Sequence, residues 1–202
     1  RFAQDDKFTG SGPAGRRRWR LTVAWNRSHA APLYNAPMEV RRIRTDEGLV
    51  LREIRLRALA GAPDAFGTTL AEALADAEQD WHDRAARRAT DQAGEAMFFA
   101  EEGGQVVGMA GGFLDPDPTG IVDLVAMWVD PPVRGRGAGR ALIEAVADWA
   151  RGRGATRLQL QVTDTNAPAI ALYTKAGFTP AGNRQPLPSN PALTESTMSR
   201  SL

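Results

Sequence analysis

A loop rich in glycine and arginine has the composition of a phosphate-binding site. Residues 134–139 read RGRGAG and lie between an apolar run, GIVDLVAMWV, and a stretch of helical periodicity, RALIEAVADWARG. Three glycines and an alanine leave the backbone amides uncovered, and the first turn of the following helix adds unpaired N–H groups and a positive dipole end. Such a concave run of amides suits a diphosphate. Arg134, Arg136 and Arg140 add positive charge around it.

Two other phosphate-binding loops do not fit these letters. A Walker A loop needs a lysine after its last glycine, and Arg140 stands there instead. A Rossmann loop needs G-x-G-x-x-G and an acidic residue about twenty positions later. Gly135, Gly137 and Gly139 have G-x-G-x-G spacing, and Asp164 lies too far downstream. A loop that serves only to connect a strand to a helix is the remaining alternative.

A second segment, NAPAIALYTKAGF, predicts a short helix between Asn166 and Gly177. Together the two segments carry a family resemblance. RGRGAG resembles the R/Q-x-x-G-x-G/A signature of the GNAT superfamily of N-acetyltransferases. The downstream segment resembles that family's N-x-x-A-x-x-L-Y-x-K-x-G-F motif through Asn166, Ala169, Leu172, Tyr173, Lys175, Gly177 and Phe178. The resemblance extends from Met38 to Leu202 and is most specific over residues 120–180.

The resemblance implies transfer of an acetyl group from acetyl-CoA, a co-substrate, to a primary amine by direct attack in a ternary complex. It also implies which residues bind acetyl-CoA. The diphosphate would contact Arg134, Gly135, Arg136, Gly137, Ala138, Gly139 and Arg140. The pantetheine arm would pair with the backbone of Met127, Trp128 and Val129 as an added strand, with Asn166 and Tyr173 as further contacts. A backbone N–H near Met127 or Trp128 would polarise the thioester carbonyl. No metal is expected.

Two side chains are the candidates for proton transfer. The family places a general acid at the position of Tyr173, and a phenol with a pKa of about 10 stays protonated at neutral pH. A tyrosine that only packs is the alternative. Asp123 lies eleven residues before Arg134, where the histone-acetylating branch of the family carries a glutamate base. Asp123 would be the base or an amine ligand; ordered water is the alternative base, and Glu72 is a weaker candidate.

The elements that must position these residues follow from hydrophobic periodicity. In order, the pattern predicts a strand at 38–43, a helix at 45–61, a helical region at 68–89 that breaks once, a hairpin around 103–104, a strand at 120–129, a helix after the glycines and a strand at 157–163. The strand-helix-strand unit predicts a parallel pair. With the resemblance, this gives an α/β fold with a mixed, mostly antiparallel sheet of six to seven strands. The fourth and fifth strands would be the parallel, splayed pair, and about four helices would flank the sheet.

Three finer expectations concern burial and loops. The strand at 120–129 is nearly continuous in apolar residues, so both of its faces are expected to be buried. RLQLQVT alternates, which places Thr163 on the exposed face. Residues 183–195, NRQPLPSNPALTE, are interpreted as a long loop that closes over the acceptor or contacts a second subunit.

Composition excludes several classes of site. The chain has no cysteine, which excludes disulfides, thiolate metal sites and cysteine nucleophiles, and it has two histidines, His29 and His82. No segment is apolar for long enough to span a membrane, and we expect a cytoplasmic protein. Residues 1–37 hold seven Lys and Arg against two Asp, which predicts a basic, flexible extension before a domain at 38–202. The remaining residues are mildly acidic, which disfavours a nucleic-acid partner.

The expected function is therefore acetylation of a small-molecule amine. The alternatives are a regulatory module that binds acetyl-CoA without catalysis and a protein acetyltransferase that modifies lysine or N-terminal amines. Asp64, Glu72, Asp76 and Asp80 would either attract a cationic amine or form the solvated face of a helix. Homodimers are common in the family.

Overall fold

One seven-stranded sheet organises residues 37–90, 94–114 and 120–202, which the computed structural model describes. The strands are β1 (Met38–Arg42), β2 (Glu95–Glu102), β3 (Gln105–Leu114), β4 (Ile121–Val129), β5 (Arg157–Thr163), β6 (Thr179–Leu187) and β7 (Asn190–Ser201). Their order across the sheet is β1-β2-β3-β4-β5-β7-β6. Only β4 and β5 run parallel, which confirms the predicted mixed sheet. Most of the extension predicted at 1–37 and of the turn predicted at 115–120 lies outside the described residues.

Helices cover both faces of the sheet. Within the described ranges these are α1 (Gly48–Gly61), α2 (Leu70–Ala75), α3 (Glu78–Ala89), α4 (Ala138–Gly152) and α5 (Ala167–Lys175). One core cluster joins α4 and α5 to the sheet, and a second joins α1, α2 and α3 to the opposite face. The break expected in the second helical region falls between α2 and α3.

The apolar stripe of each helix fixes the face that it buries. Leu142, Ile143 and Val146 of α4 are fully buried, as their helical spacing predicts. On the opposite face, Leu51 and Ile54 of α1 are buried in the cluster that includes Met97, Phe99 and Met109 of the sheet. Burial of each such large side chain contributes about 1.5–3 kcal/mol, so both helical layers are held firmly against the sheet.

Strands β4 and β5 are paired only near their amino-terminal ends. Ile121 pairs with Arg157, Val122 with Leu158 and Asp123 with Gln159, and the pairing ends there. Beyond this point β4 and β5 separate, while their antiparallel neighbours β3 and β7 stay paired with them. The edge of β4 that faces β5 is therefore unpaired from Leu124 onward, and a cleft opens at the carboxyl end of the strand.

A bulge in β4 lies beside this cleft. Met109 pairs with Trp128 and Gly111 with Val125, so Ala126 and Met127 together oppose a single residue of β3. Ala126 has a φ of 53°, in the left-handed region that an alanine rarely adopts. Bulges redirect side chains and backbone groups and are frequent beside active sites.

The first helix begins later than its sequence signals indicate. α1 starts at Gly48, three residues after Thr45, and Glu47 precedes it. The Glu47 carboxylate accepts hydrogen bonds from Arg41 Nη1 at 2.8 Å and from the Arg44 amide at 2.7 Å. These bonds fold the residues before Gly48 into a turn, so the helix predicted at 45–61 begins only at Gly48.

The loop predicted at residues 183–195 is wrong. These residues lie almost entirely in β6 and β7, which form a hairpin with a short turn. Prolines and polar residues suggested a loop, but β6 is an edge strand, where the missing N–H groups of Pro180 and Pro186 are tolerated.

Two burial expectations are also wrong. Val122 and Leu124 of β4 are buried, but Val125 is 40% exposed because a cavity lies over that part of the other face. Thr163 was expected on the exposed face, yet it is buried, and its hydroxyl donates to the Asp64 carbonyl at 2.6 Å.

Candidate active site

The loop after β4 presents a row of unpaired backbone amides. Gly135 and Gly137 have φ values of 79° and 94°, which glycine adopts without strain. The first helical hydrogen bond of α4 runs from the Ala141 amide to the Gly137 carbonyl. Among the described residues, the amides of residues 135–140 donate to no other group. The positive end of the α4 dipole lies at the same place, so the loop favours an anion.

The three arginines around this loop have different surroundings. Arg134 donates from Nε to the Val129 carbonyl at 2.8 Å, at the end of β4. Arg136 forms a two-point ion pair with Glu102, whose side chain is 2% exposed; one contact joins Nη1 to Oε2 at 3.1 Å. Arg140 is exposed in the first turn of α4. Charge for a ligand therefore comes from Arg134 and Arg140, because Glu102 compensates that of Arg136.

Gly139 has a packing reason of its own. A Cβ at this position would lie 2.9 Å from Leu172 Cδ2 of α5 and 3.3 Å from Met127 Cε. The glycine thus allows α5 to approach the start of α4 closely. This contact brings the helix that carries Tyr173 beside the amide row.

The helix α5 holds both Asn166 and Tyr173. The Asn166 side chain accepts a hydrogen bond from the Ala169 amide at 3.3 Å and caps the helix. Tyr173 is 7% exposed and packs edge-on against Phe178, with ring centroids 5.8 Å apart. Burial raises the pKa of the Tyr173 phenol well above its ordinary value, so the hydroxyl stays protonated at neutral and mildly alkaline pH.

Asp123 is the last residue of β4 that pairs with β5. Its neighbours Val122 and Leu124 face the α4 layer, so strand alternation places the Asp123 side chain on the opposite face, together with Val125. The carboxylate is half-buried, and Gln159 Nε2 donates to its Oδ1 at 2.8 Å. A titratable oxygen thus lies near the point where the strands separate.

A cavity of about 330 Å³ lies on this second face of the sheet. Helices α1, α2 and α3 wall it, and Val125 and Ala126 bring the bulge of β4 to its surface. The volume is at the lower end of the range for small-molecule sites. The cavity therefore suits a compact acceptor.

The four acidic residues considered as a site for a cationic amine are engaged in local structure. The Glu72 carboxylate caps α2 and accepts hydrogen bonds from Thr69 N at 2.7 Å and Thr69 Oγ1 at 2.8 Å, which lower its pKa. Asp76 pairs with Arg84 at 2.6 Å. Asp80 accepts from the Ala77 amide, and Asp64 accepts from the Asn190 side chain. These contacts favour the helix-face interpretation over a site for a cationic amine.

Sequence reasoning missed two residues of this region. Glu102 precedes the two glycines of the β2–β3 hairpin and looks like an exposed turn residue, although it anchors Arg136. Arg55 belongs to the charged stretch of α1, yet it lines the cavity. Its spacing of four residues from buried Leu51 was the available signal.

Comparison with known proteins identifies the family. The sequence profile of the Acetyltransferase (GNAT) family matches residues 63–178. The chain belongs to the GNAT acetyltransferase family. It is 34% identical over 134 residues to a mycothiol acetyltransferase of Thermomonospora curvata, an alignment that covers 66% of this chain and 41% of that protein. The chain spans about two fifths of the length of the curated GNAT relatives that it matches.

Solved structures show the same fold. The GNAT-family acetyltransferase of Streptococcus pneumoniae superposes with a TM-score of 0.69 at 18% identity, over 82% of this chain and 99% of that one. The yncA protein of Salmonella typhimurium, solved with its cofactor acetyl-CoA, superposes with a TM-score of 0.67 at 22% identity, over 83% and 95% of the two chains. The sheet with its splayed parallel pair is thus the GNAT fold.

Metal-binding clusters and membrane-spanning helices are absent from residues 37–90, 94–114 and 120–202. No group of three or more His, Asp or Glu side chains in these ranges is arranged to hold a metal ion. No helix in them is both long and apolar enough to cross a bilayer.

Proposed function

We propose that the protein is an acetyl-CoA-dependent N-acetyltransferase for a small-molecule amine. The observation that carries this proposal is the row of unpaired amides at residues 135–140 beside the unpaired edge of β4. A diphosphate fits such a row at a helix N-terminus, and an extended amide-bearing arm fits a free strand edge. Membership of the GNAT family, the acetyl-CoA of the Salmonella neighbour and the relatives named mycothiol acetyltransferases support the same function.

The loop after β4 and the end of β4 would bind different parts of acetyl-CoA. The amides of residues 135–140 would hold the diphosphate, with charge from Arg134 and Arg140. The main chain of residues 127–129 would pair with the pantetheine arm, and Asn166 would contact the arm from α5. Acetyl-CoA supplies an acetyl group activated as a thioester.

The proposed reaction needs two proton transfers. The acceptor nitrogen attacks the thioester carbonyl, the carbon–sulfur bond breaks, and an amide and a free thiol form. An N–H at the bulge, near Met127 or Trp128, would stabilise the negative charge that develops on the carbonyl oxygen. Tyr173 would donate a proton to the departing sulfur, and Asp123 or a water would take the proton that leaves the nitrogen.

A calorimetric titration with acetyl-CoA tests the binding step. Valine at position 137 would have to adopt the left-handed φ of 94°, which costs a residue with a side chain roughly 1–2 kcal/mol. The loop of Gly137→Val is expected to relax away from this φ, so acetyl-CoA should bind about 5- to 30-fold more weakly, because about 1.4 kcal/mol corresponds to a factor of ten. Gly152→Ala is the matched control, because an added Cβ at this other end of α4 meets no atom within 4 Å.

A thiol-release assay with a set of amines tests the chemical step on the same proteins. Thiol release that requires an amine supports the transferase. Binding of acetyl-CoA without thiol release from any amine would favour the non-catalytic module instead. Failure of the unaltered protein to bind acetyl-CoA would overturn both functions.

A further inference from the structure

Arg55 is a half-buried cation that forms no ion pair with a carboxylate among the described residues. It lies on α1 and lines the cavity beside the bulge of β4. Its Nη1 is enclosed and makes no hydrogen bond. Its guanidinium instead stacks over the Phe66 ring, 4.5 Å from the centroid. An enclosed guanidinium nitrogen is normally hydrogen-bonded to an oxygen acceptor, so Nη1 of Arg55 has a donor to offer to a ligand in the cavity.

The other two arginines of the cavity each form an ion pair, although Arg88 shares its carboxylate with Arg87. Arg84 pairs with Asp76 at 2.6 Å, and Arg88 pairs with Glu95 at 2.8 Å. They nevertheless add positive potential around Arg55. Burial, followed by the charges of Arg88 and Arg84, lowers the pKa of Arg55 to about 10, so it stays charged at neutral pH.

The remaining carboxylate on the cavity wall does not compensate Arg55. Glu72 is exposed and is held by Thr69 in the capping box of α2. No ion pair within 4.0 Å joins Glu72 to Arg55 in the part of the chain that the structure describes. The positive charge of Arg55 is therefore available to a ligand in the cavity.

The position of this charge assigns it to the acceptor rather than to acetyl-CoA. The cavity lies on the α1–α3 face and reaches the backbone at Val125 and Ala126. The amide row at residues 135–140 follows the end of β4 and has Arg134 and Arg140 of its own. Under the proposed function, on which this inference rests, the acetyl group lies at the bulge between the two.

We propose that Arg55 binds an oxyanion of the acceptor, so that the substrate is an amine that also carries a carboxylate or a phosphate. A guanidinium presents a planar fork of donors that matches either group. The cavity of about 330 Å³ suits a molecule of amino-acid size, which favours the carboxylate. Arg55 is thus a specificity-determining residue that contacts the substrate.

Matched pairs of amines test the anion requirement. Thiol release from acetyl-CoA is measured with common L-amino acids and their carboxamides, and with phosphoethanolamine and ethanolamine. The anionic member of one pair is expected to have a kcat/KM about 10- to 100-fold above that of its neutral partner. Preference within the first set identifies a carboxylate, and preference within the second identifies a phosphate.

Two arginine variants of the same helix separate the role of Arg55 from a general loss of charge. Arg55→Gln is expected to lose the preference for the anion and to keep its affinity for acetyl-CoA. Arg52→Gln, which removes a half-exposed arginine outside the cavity lining, is expected to keep the preference. Equal losses for acid and amide in Arg55→Gln would overturn the proposal.

Thermal unfolding supplies a readout that needs no turnover. An N-acetyl amino acid or N-acetylphosphoethanolamine is expected to raise the Tm of the unaltered protein, whereas the neutral counterpart and the Arg55→Gln protein show no shift. If no anionic compound shifts the Tm or is preferred in turnover, the anion site is refuted. Acetylation of neutral amines alone would then leave the proposed function standing. Conversely, the anion could bind in an Arg55-dependent way while no amine causes thiol release. That result would support the anion site and refute acetyl transfer.

Discussion

The two regions that we propose to bind acetyl-CoA and the acceptor, called the acetyl-CoA side and the acceptor side, are built by different means. The first is a short stretch of main chain, residues 135–140, shaped by glycine φ values and by the start of one helix. The second is a cavity whose side chains come from three helices and three strands far apart in sequence. A backbone site depends on contiguous residues, whereas a side-chain site depends on how distant elements pack. We therefore expect variants on the two sides to fail in different ways.

The largest effect is expected from Tyr173→Phe on the acetyl-CoA side. Loss of a general acid lowers turnover by typically about 10²- to 10⁴-fold, because the departing thiolate receives no proton. The affinity for acetyl-CoA should hardly change, since the ring and its packing on Phe178 are kept. Thiol-release kinetics and calorimetry measure the two quantities. A kcat close to that of the unaltered protein would show that Tyr173 packs in the core and donates no proton in the reaction.

The next largest effect is expected at Arg136, whose ion pair with Glu102 attaches the loop of residues 134–139 to β2. Arg136→Ala leaves the buried Glu102 carboxylate without its partner, but the Arg136 side chain is 35% exposed, so water screens the loss in part. A loss of about 2 kcal/mol of stability is expected. The free energy of unfolding, measured in urea, should fall by this amount. The affinity for acetyl-CoA should fall with it, because the loop loses its attachment to β2.

A double variant tests whether Arg136 only positions the loop or also supplies charge to the ligand. Glu102→Leu with Arg136→Met replaces the ion pair by apolar side chains and should recover most of the stability. If Arg136 only holds the loop in place, the affinity for acetyl-CoA recovers as well. If stability recovers and the affinity for acetyl-CoA does not, Arg136 contacts the phosphates directly.

The smallest effect is expected on the acceptor side, at the start of α1. Burial raises the pKa of Glu47, but hydrogen bonds from Arg41 and the Arg44 amide, with the charge of Arg41, outweigh burial and lower it below 4.5. A carboxylate with a lowered pKa stabilises the folded state above its unfolded pKa, and this contribution is lost as the pH falls through the folded pKa. Glu47→Gln should therefore be roughly 1.5 kcal/mol less stable at pH 7.

Urea unfolding at several pH values checks this linkage. The difference between the unaltered protein and Glu47→Gln should shrink as the pH is lowered from 7 through about 4.5 and below. Glu39→Gln, at an exposed position of β1, is the control and should show no such difference. A difference that stays constant down to pH 3 would contradict the role assigned to the Glu47 charge.

Features that depend on residues close together in sequence were predicted correctly, whereas features that depend on distant residues were not. The paired strands, the break between α2 and α3 and the cap at Asn166 were predicted, because spacing and capping act over a few residues. The hairpin of β6 and β7 was missed, because proline is accepted at a sheet edge and only the topology shows which strand is the edge. The exposure of Val125 was missed for a similar reason, since an apolar strand does not reveal where its covering helices end.

The sequence by itself determined the family, the order of elements and the glycine loop, because these depend on residue types at short spacing. Only the tertiary structure decided where β4 and β5 separate, that Glu102 compensates Arg136 and that Arg55 lines the cavity with no carboxylate paired to it among the described residues. These features join residues that are more than 30 positions apart or lie on separate elements. The charge that one residue presents to a ligand depends on which distant side chains already neutralise it, and packing alone settles that.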